Sequence, residues 1–426
     1  MPKGKKKGKY EHRRTEVPYS SDEDAGIDMT NDNYSETSGQ SDLRSNHDDA
    51  ENEIQEKIEE KVLETIDALS ARANAARAAA LVSLRNLLQR RYLAHLLSSQ
   101  RVTLADHVTR ALRRGKDGER KAAAAVAPIL ALQIGEEGTE EFMAEVRPAL
   151  AAAAVDKTAS LETRTECCSS LAVLCYLLEE DLTEILEIMK MYETIFSGSY
   201  LKGDGTVKVS GSAVEEGTWH AAALDAWALL LLLLEPHHAK ALLTEKQPSI
   251  SRLADLLNAC SLEVRLSAGG ALVSAHERTD DDHWPEYDDL LVRLQQLTRD
   301  SHKYRAKRDR KLQRATFRDI LRYFEEGTVE ELKVRIGVES IVLDGWGSRA
   351  VYGAMAAALS AGLVALAPHS PPLRAALGLN EPPPTPGHAQ AKLNKLQRNL
   401  QNAAACKART VARNKSRDKR SAALAL

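Results

Sequence analysis

Ten Lys or Arg residues stand against three Asp between Arg299 and Arg322, and the tail from His388 to Arg420 carries a net charge of +9 with Asp418 as its one acid. Cations at this density repel one another and are costly to bury, so the chemistry they offer is contact with a polyanion. In the first segment the candidate RNA contacts are Lys303, Arg305, Lys307, Arg308, Arg310, Lys311 and Arg314. In the tail they are Lys407, Arg409, Arg413, Lys415, Arg417, Lys419 and Arg420. The first segment runs on into Phe317, Ile320, Leu321 and Phe324, spaced i, i+3, i+4, i+7. That spacing predicts a helix docked by its C-terminal half, with its N-terminal half left as a basic ridge. A solvated helix face is the rival reading. The tail has small or polar neighbours and almost no apolar stripe, so a polyanion would both neutralise and order it. It lacks aromatic residues for base stacking, which favours recognition of RNA shape and backbone. The run KARTVARNKSRDKR would serve equally as a nuclear import signal, and the two uses are compatible.

Other chemistry is hard to find. The chain has no Walker loop, no GxSxG, no HExxH and no dinucleotide fingerprint, so it reads as a protein without enzymatic activity. Asp280, Asp281, Asp282 and His283 are consecutive and read as a solvated loop rather than a metal site. His237 and His238 follow Pro236 at a helix end and read as exposed. The five cysteines, at 167, 168, 175, 260 and 406, include no CxxC pair and read as reduced, mostly buried thiols. No cofactor, metal or small-molecule substrate is expected. Ala226–Leu234 is too short to cross a bilayer, and Ala350–Leu373 is uncharged but broken by Gly353, Gly362, Pro368, Pro371 and Pro372. A buried helix over roughly residues 350–367 is expected, with no membrane partner. The N-terminus is charged and holds no apolar run, so no signal peptide is read there. Cytoplasm and nucleus are the expected compartments.

The elements that must carry these segments are helices. Aromatic residues make up 4% of the 426, and alanine and leucine supply most of the 43% hydrophobic content. That balance suits close-packed helices. A repeat is legible in ARAAALVSL from Ala76, ERKAAAAVA from Glu119, TRTECCSSL from Thr163, WHAAALDAW from Trp219 and VRLSAGGAL from Val264. Their second residues, Arg77, Arg120, Arg164, His220 and Arg265, lie 43, 44, 56 and 45 apart. The long interval holds the Gly/Ser-rich stretch 203–217, expected to be a loop. Preceding helices are expected at Val102–Leu112, Phe142–Ala154, Leu182–Phe196 and Ile250–Asn258, with Asp117, Ser160 and Ser261 at or near helix caps. A period in the low forties on helical sequence indicates an all-α, armadillo/HEAT-like solenoid, whose groove would hold a protein partner.

Four regions follow: a disordered tail at 1–53, basic and then acidic; the repeat domain at 54–300; the basic helix with a small subdomain at 301–380; and a Pro-rich linker with a basic C-terminal helix at 381–426. Within the first, Ser20 and Ser21 precede Asp22, Glu23 and Asp24 and are candidate phosphorylation sites, although a plain acidic run explains the pattern as well. In the third, VRIGVESIVLDGW (334–346) alternates as a short hairpin would.

The opening MPKGKKKGK, the acidic SDEDA at 21–25, SYLK at 199–202, HKYRAKRDRKLQRATFRDILR from His302, DGW at 344–346 and AAACKARTVARNKSRDKR at 403–420 together resemble the interferon-related developmental regulator family. The resemblance covers nearly the whole chain. It departs in the Ala-rich stretch 350–380 and at Cys406, where an aromatic residue is expected. The resemblance implies a non-enzymatic regulator. It also implies two activities: transcriptional co-regulation in differentiation with repressor complexes, and binding to translationally inactive ribosomes with the basic C-terminal region against ribosomal RNA.

Overall fold

The computed structural model describes residues 55–201, 212–245, 248–279, 284, 286–299, 307–380, 402–403 and 405–414. Ser20, Ser21, Lys303, Arg305, Lys415, Arg417, Lys419, Arg420 and the Asp280–His283 cluster lie outside the described residues, as does the stretch 202–211.

From residue 55 onward the described residues form an all-α solenoid that carries one short hairpin. Its first helix, α1, covers 55–68. There follow α2 (Asn74–Leu88), α3 (Ala94–Leu97), α4 (Arg101–Arg114), α5 (Asp117–Gln133), α6 (Glu136–Val155), α7 (Leu161–Leu178) and α8 (Leu182–Phe196). Next come α9 (Ser212–Glu215), α10 (Gly217–Leu231), α11 (Pro236–Glu245), α12 (Ile250–Asp255), α13 (Leu262–Thr279), α14 (Tyr287–Arg299) and α15 (Lys307–Glu326). Each anchor segment forms one helix of a continuous row, in which α2 packs on α5, α5 on α7, α7 on α10, α10 on α13 and α13 on α15. Small residues dominate these helices because each is covered by neighbours on two sides. In α5, Ala122, Ala123, Ala124, Ala127 and Ala131 are all buried. The four expected preceding helices appear as α4, α6, α8, and α12 with its 3-10 extension Leu256–Asn258. The 203–217 stretch is not all loop, since Ser212–Glu215 is helical and Gly217 already begins α10.

The repeating anchor residue ties one unit to the next. The Arg77 guanidinium donates to both carboxylate oxygens of Glu119 at 2.6 and 2.8 Å, and also to the Ala71 carbonyl at the preceding turn. Arg120 reaches Asp156 at 2.6 Å and the Arg113 carbonyl. Arg164 lies 3.5 Å over the Trp219 ring of the next unit. Arg265, 2% exposed, bonds the Ala259 carbonyl at 2.7 Å and Gln313 of α15 at 3.0 Å. A charge this deep is tolerable only because carbonyls and a side-chain amide occupy its donors. His220 substitutes a hydrogen bond with Ser199 (2.8 Å), and burial pushes its ring down to about 4, so it sits in the row uncharged. Ser160 and Ser261 cap α7 and α13 through Thr163 N–H and Val264 N–H. Asp117 is itself the first residue of α5, and its carboxylate accepts from Ser160 N–H of the following unit at 2.7 Å.

Beyond α15, β1 (Leu332–Ile336) and β2 (Glu339–Leu343) form an antiparallel hairpin closed at Gly337, φ 62°. Then come α16 (Trp346–Leu359), α17 (Gly362–Leu366) and α18 (Pro371–Ala376). The single buried helix expected over 350–367 is two helices. Ser360, at φ 51°, turns the chain out of α16, and Gly362 then passes 3.4 Å (from a would-be Cβ) from the backbone of Gln89. α16 lies along the row, packing on α5, α7, α10 and α13. Its N-terminus is held by Glu277 of α13, whose carboxylate accepts from Trp346 N–H (3.2 Å) and Gly347 N–H (2.6 Å). A Cβ at Gly345 would lie 2.2 Å from that carboxylate, which explains the glycine of the DGW motif. Arg374 clamps α18 to the hairpin through two 2.8 Å bonds to Glu339. Among the described residues no helix is long and apolar enough to cross a membrane.

Candidate nucleic-acid interface

α15 has two faces. Gln313, Phe317, Ile320, Tyr323 and Phe324 are buried, with Phe317 and Ile320 against Gly269 of α13. A Cβ at Gly269 would lie 2.6 Å from Ile320 Cδ1, so glycine is what lets the two helices close. On the other side Lys307, Arg308 and Lys311 are exposed, and Arg310 and Arg314 are half-buried. The Arg314 Nε–H donates to the Arg310 carbonyl at 3.2 Å, which holds that side chain along the helix. The exposed basic edge continues past the candidate residues. Lys307, Lys311, Arg318 and Arg322 follow at i, i+4, i+11 and i+15 and share one face. Arg318 and Arg322 were legible from this spacing, but the apolar residues interleaved with them directed attention to docking instead.

A second helix, α19, covers 405–414. Lys407, Ala408 and Val411 are its half-buried side chains, while Arg409 and Arg413 are exposed. The Lys407 ammonium lies 3.7 Å from Asp67 of α1. Lys407 also weighs on His107 of α4, which burial, then Arg110, Lys407 and Arg77 push down to about 4. The structure therefore brings the tail helix beside α1 and α4, where the row begins, and places α15 on α13 and α14, where it ends. The two basic helices do not converge on one site.

Other candidate chemistry is quiet. His237 and His238 are exposed in the first turn of α11. Burial raises the thiols of Cys167, Cys168 and Cys175, the last two to about 12, so they carry no thiolate near neutrality. Among the described residues no cluster of three or more His, Cys, Asp or Glu side chains could hold a metal ion.

Comparison with known proteins finds two family profiles. The one described as interferon-related developmental regulator matches residues 33–325, and the one described as interferon-related protein conserved region matches 372–421, which includes α19. Interferon-related developmental regulator 2 of Mus musculus is 35% identical over 378 residues, covering 86% of this chain and 83% of the relative. Interferon-related developmental regulator 1 of Mus musculus is 34% identical over 421 residues, and that of Homo sapiens 32% over 424. Each of these alignments covers 96% of this chain and 91% of the relative. These relatives carry the names of regulators, and none carries an enzyme's. With a profile matching well over half its length and relatives above 30% identity across most of both chains, the chain belongs to the interferon-related developmental regulator family.

Proposed function

We propose that the protein is a non-enzymatic helical-repeat adaptor that regulates gene expression. It binds ribosomes through ribosomal RNA with its basic C-terminal elements and represses translation by occupancy. The observation that carries this reading is α19, a helix with exposed Arg409 and Arg413 and no buried apolar stripe. Its one described ion pair, Lys407 with the 84% exposed Asp67, is of a kind that contributes about 0–1 kcal/mol. A polyanion can replace such a pair at little cost. The exposed cations of α15 are a second surface of the same chemistry, held on a rigid helix. As neither helix offers aromatic rings on its exposed side, contact with the phosphate backbone is favoured over base reading.

The tail charges act as a set. Arg409, Arg413 and Arg417 changed together to Glu should abolish co-sedimentation with ribosomes while leaving the thermal unfolding of the solenoid unchanged. Sedimentation that survives this change would remove the tail from the interface. In that case the basic runs serve as import signals, and the protein is a nuclear co-regulator that bridges a repressor complex.

A further inference from the structure

The tail helix α19 carries a hydroxyl in the middle of its charges. Thr410 is exposed, and its Oγ–H donates to the Cys406 carbonyl one turn back at 3.0 Å. Lys407 and Arg413 stand three residues before and after it, and Arg409 adjoins it. Positions i−3 and i+3 are neighbours of position i on a helix face, so both cations can reach a group placed on Thr410. Among the described residues no other Ser or Thr has Lys or Arg at all three of these offsets.

A hydroxyl flanked in this way suits a basophilic protein kinase, whose acidic groove reads Lys and Arg on either side of the acceptor. Such an enzyme takes its acceptor in extended chain, so the helix has to open locally. α19 opens at little cost, because a short helix without packing is marginal and its described residues bury no side chain. Thr316 on α15 is the opposite case. It lies between Arg314 and Arg318, yet it is half-buried on a helix fixed by Phe317 and Ile320, both fully buried.

We propose that Thr410 is a phosphorylation site, and that its modification by a basophilic kinase switches the tail off as a ligand for polyanions. This regulation rests on the reading of the tail as an RNA-binding element. The γ-phosphoryl group of ATP passes to Thr410 Oγ, forming a new O–P bond. The bond to the β-phosphate oxygen breaks, ADP leaves, and the hydroxyl proton goes to solvent. The product adds about −1.5 to −2 charges at neutral pH and has no hydroxyl left to donate to Cys406. Lys407 and Arg413 then pair with the phosphate inside the helix, where they are lost to RNA, and the phosphate repels the RNA backbone.

The test uses the purified full chain, ATP, Mg²⁺ and the catalytic domain of a basophilic kinase. Mass spectrometry maps the modified residue, and binding is read by co-sedimentation with purified ribosomes. Thr410 should take up phosphate, and the modified chain should bind about tenfold more weakly or worse at roughly 100 mM salt. Its slope of log affinity against log salt should be shallower by about two. A phosphatase, which hydrolyses the ester, should restore binding, and Thr410→Ala given the same kinase treatment should bind as the untreated chain does. Phosphate found only elsewhere overturns the proposal, including on Ser416, which has Arg413, Lys415 and Lys419 at the same offsets. Undiminished binding by a chain modified at Thr410 overturns it as well. An unmodified chain that does not sediment is a separate failure, which removes the RNA reading of the tail and the switch with it.

Discussion

α15 and α19 are both strongly basic helices, yet the molecule treats them differently. α15 buries Phe317 and Ile320 completely against α13, so its charges ride on the back of a packed element. α19 buries no side chain among its described residues and touches the solenoid through Lys407, Ala408 and Val411, half-buried at most. The apolar stripe, not the charge, decides which helix belongs to the fold. A basic helix with a stripe is positioned before any ligand arrives, whereas one without it depends on charge for its place and gains order from a polyanion.

This contrast can be attacked from several sides. Phe317→Ala should have the largest effect, about 3–5 kcal/mol by urea unfolding, because a fully buried ring leaves a cavity under α15. Val411→Ala should leave the same transition in place. An equal loss in both would mean that the tail helix is packed as firmly as α15. Arg77→Ala leaves Glu119, 4% exposed, without its bidentate partner and should cost about 2 kcal/mol, reduced from a fully buried pair because Arg77 is itself 20% exposed. Gly269→Ala should cost about 1–3 kcal/mol, since the new Cβ meets Ile320 at 2.6 Å and Phe317 at 2.9 Å. Arg409→Ala with Arg413→Ala should change stability by less than about 0.5 kcal/mol, as exposed side chains do.

A pH effect concerns His107. Its ring stays neutral in the folded chain down to about pH 4, while an unfolded imidazole takes a proton near the ordinary value of 6.5. The unfolded state therefore binds more protons between those values, and this residue makes stability fall as pH drops through that window. Lys407 contributes to the depression, so a form ending at Gly387 should titrate His107 at a higher pH, read from ring resonances by NMR. An unchanged titration would place α19 away from α4.

Much of the row was legible because its signal is periodic. Arg77, Arg120, Arg164, His220 and Arg265 recur with the period of the units, and the structure shows why: each of the four arginines makes a side-chain tie to the following unit, while His220 bonds Ser199 within its own. α15 is expected docked by its C-terminal half on the end of the solenoid, and it packs there on α13; what the spacing did not show is that Gln313, a neutral acceptor inside a basic sequence, meets Arg265. The position of α16 was not legible either. Alanines on all sides give a helix no stripe to read, so nothing in Ala350–Leu359 announces which side meets the row. Glu277 carries no motif of its own, and its role shows only through Gly345, the glycine that must approach it. For the candidate interface, spacing revealed the charges and the docking face of α15, while the contact of Lys407 with α1 depends on a helix far away in sequence.

The most direct test of the central claim is a sucrose-gradient profile from cell extract at two salt concentrations, comparing the intact chain with a form ending at Gly387. The account predicts that intact protein travels with monosomes at low salt and that the truncated form stays at the top. If six tail cations meet phosphates, affinity should drop about 10³-fold between roughly 50 and 200 mM salt. Intact protein that stays at the top at low salt, or a truncated form that still travels with monosomes, would contradict it.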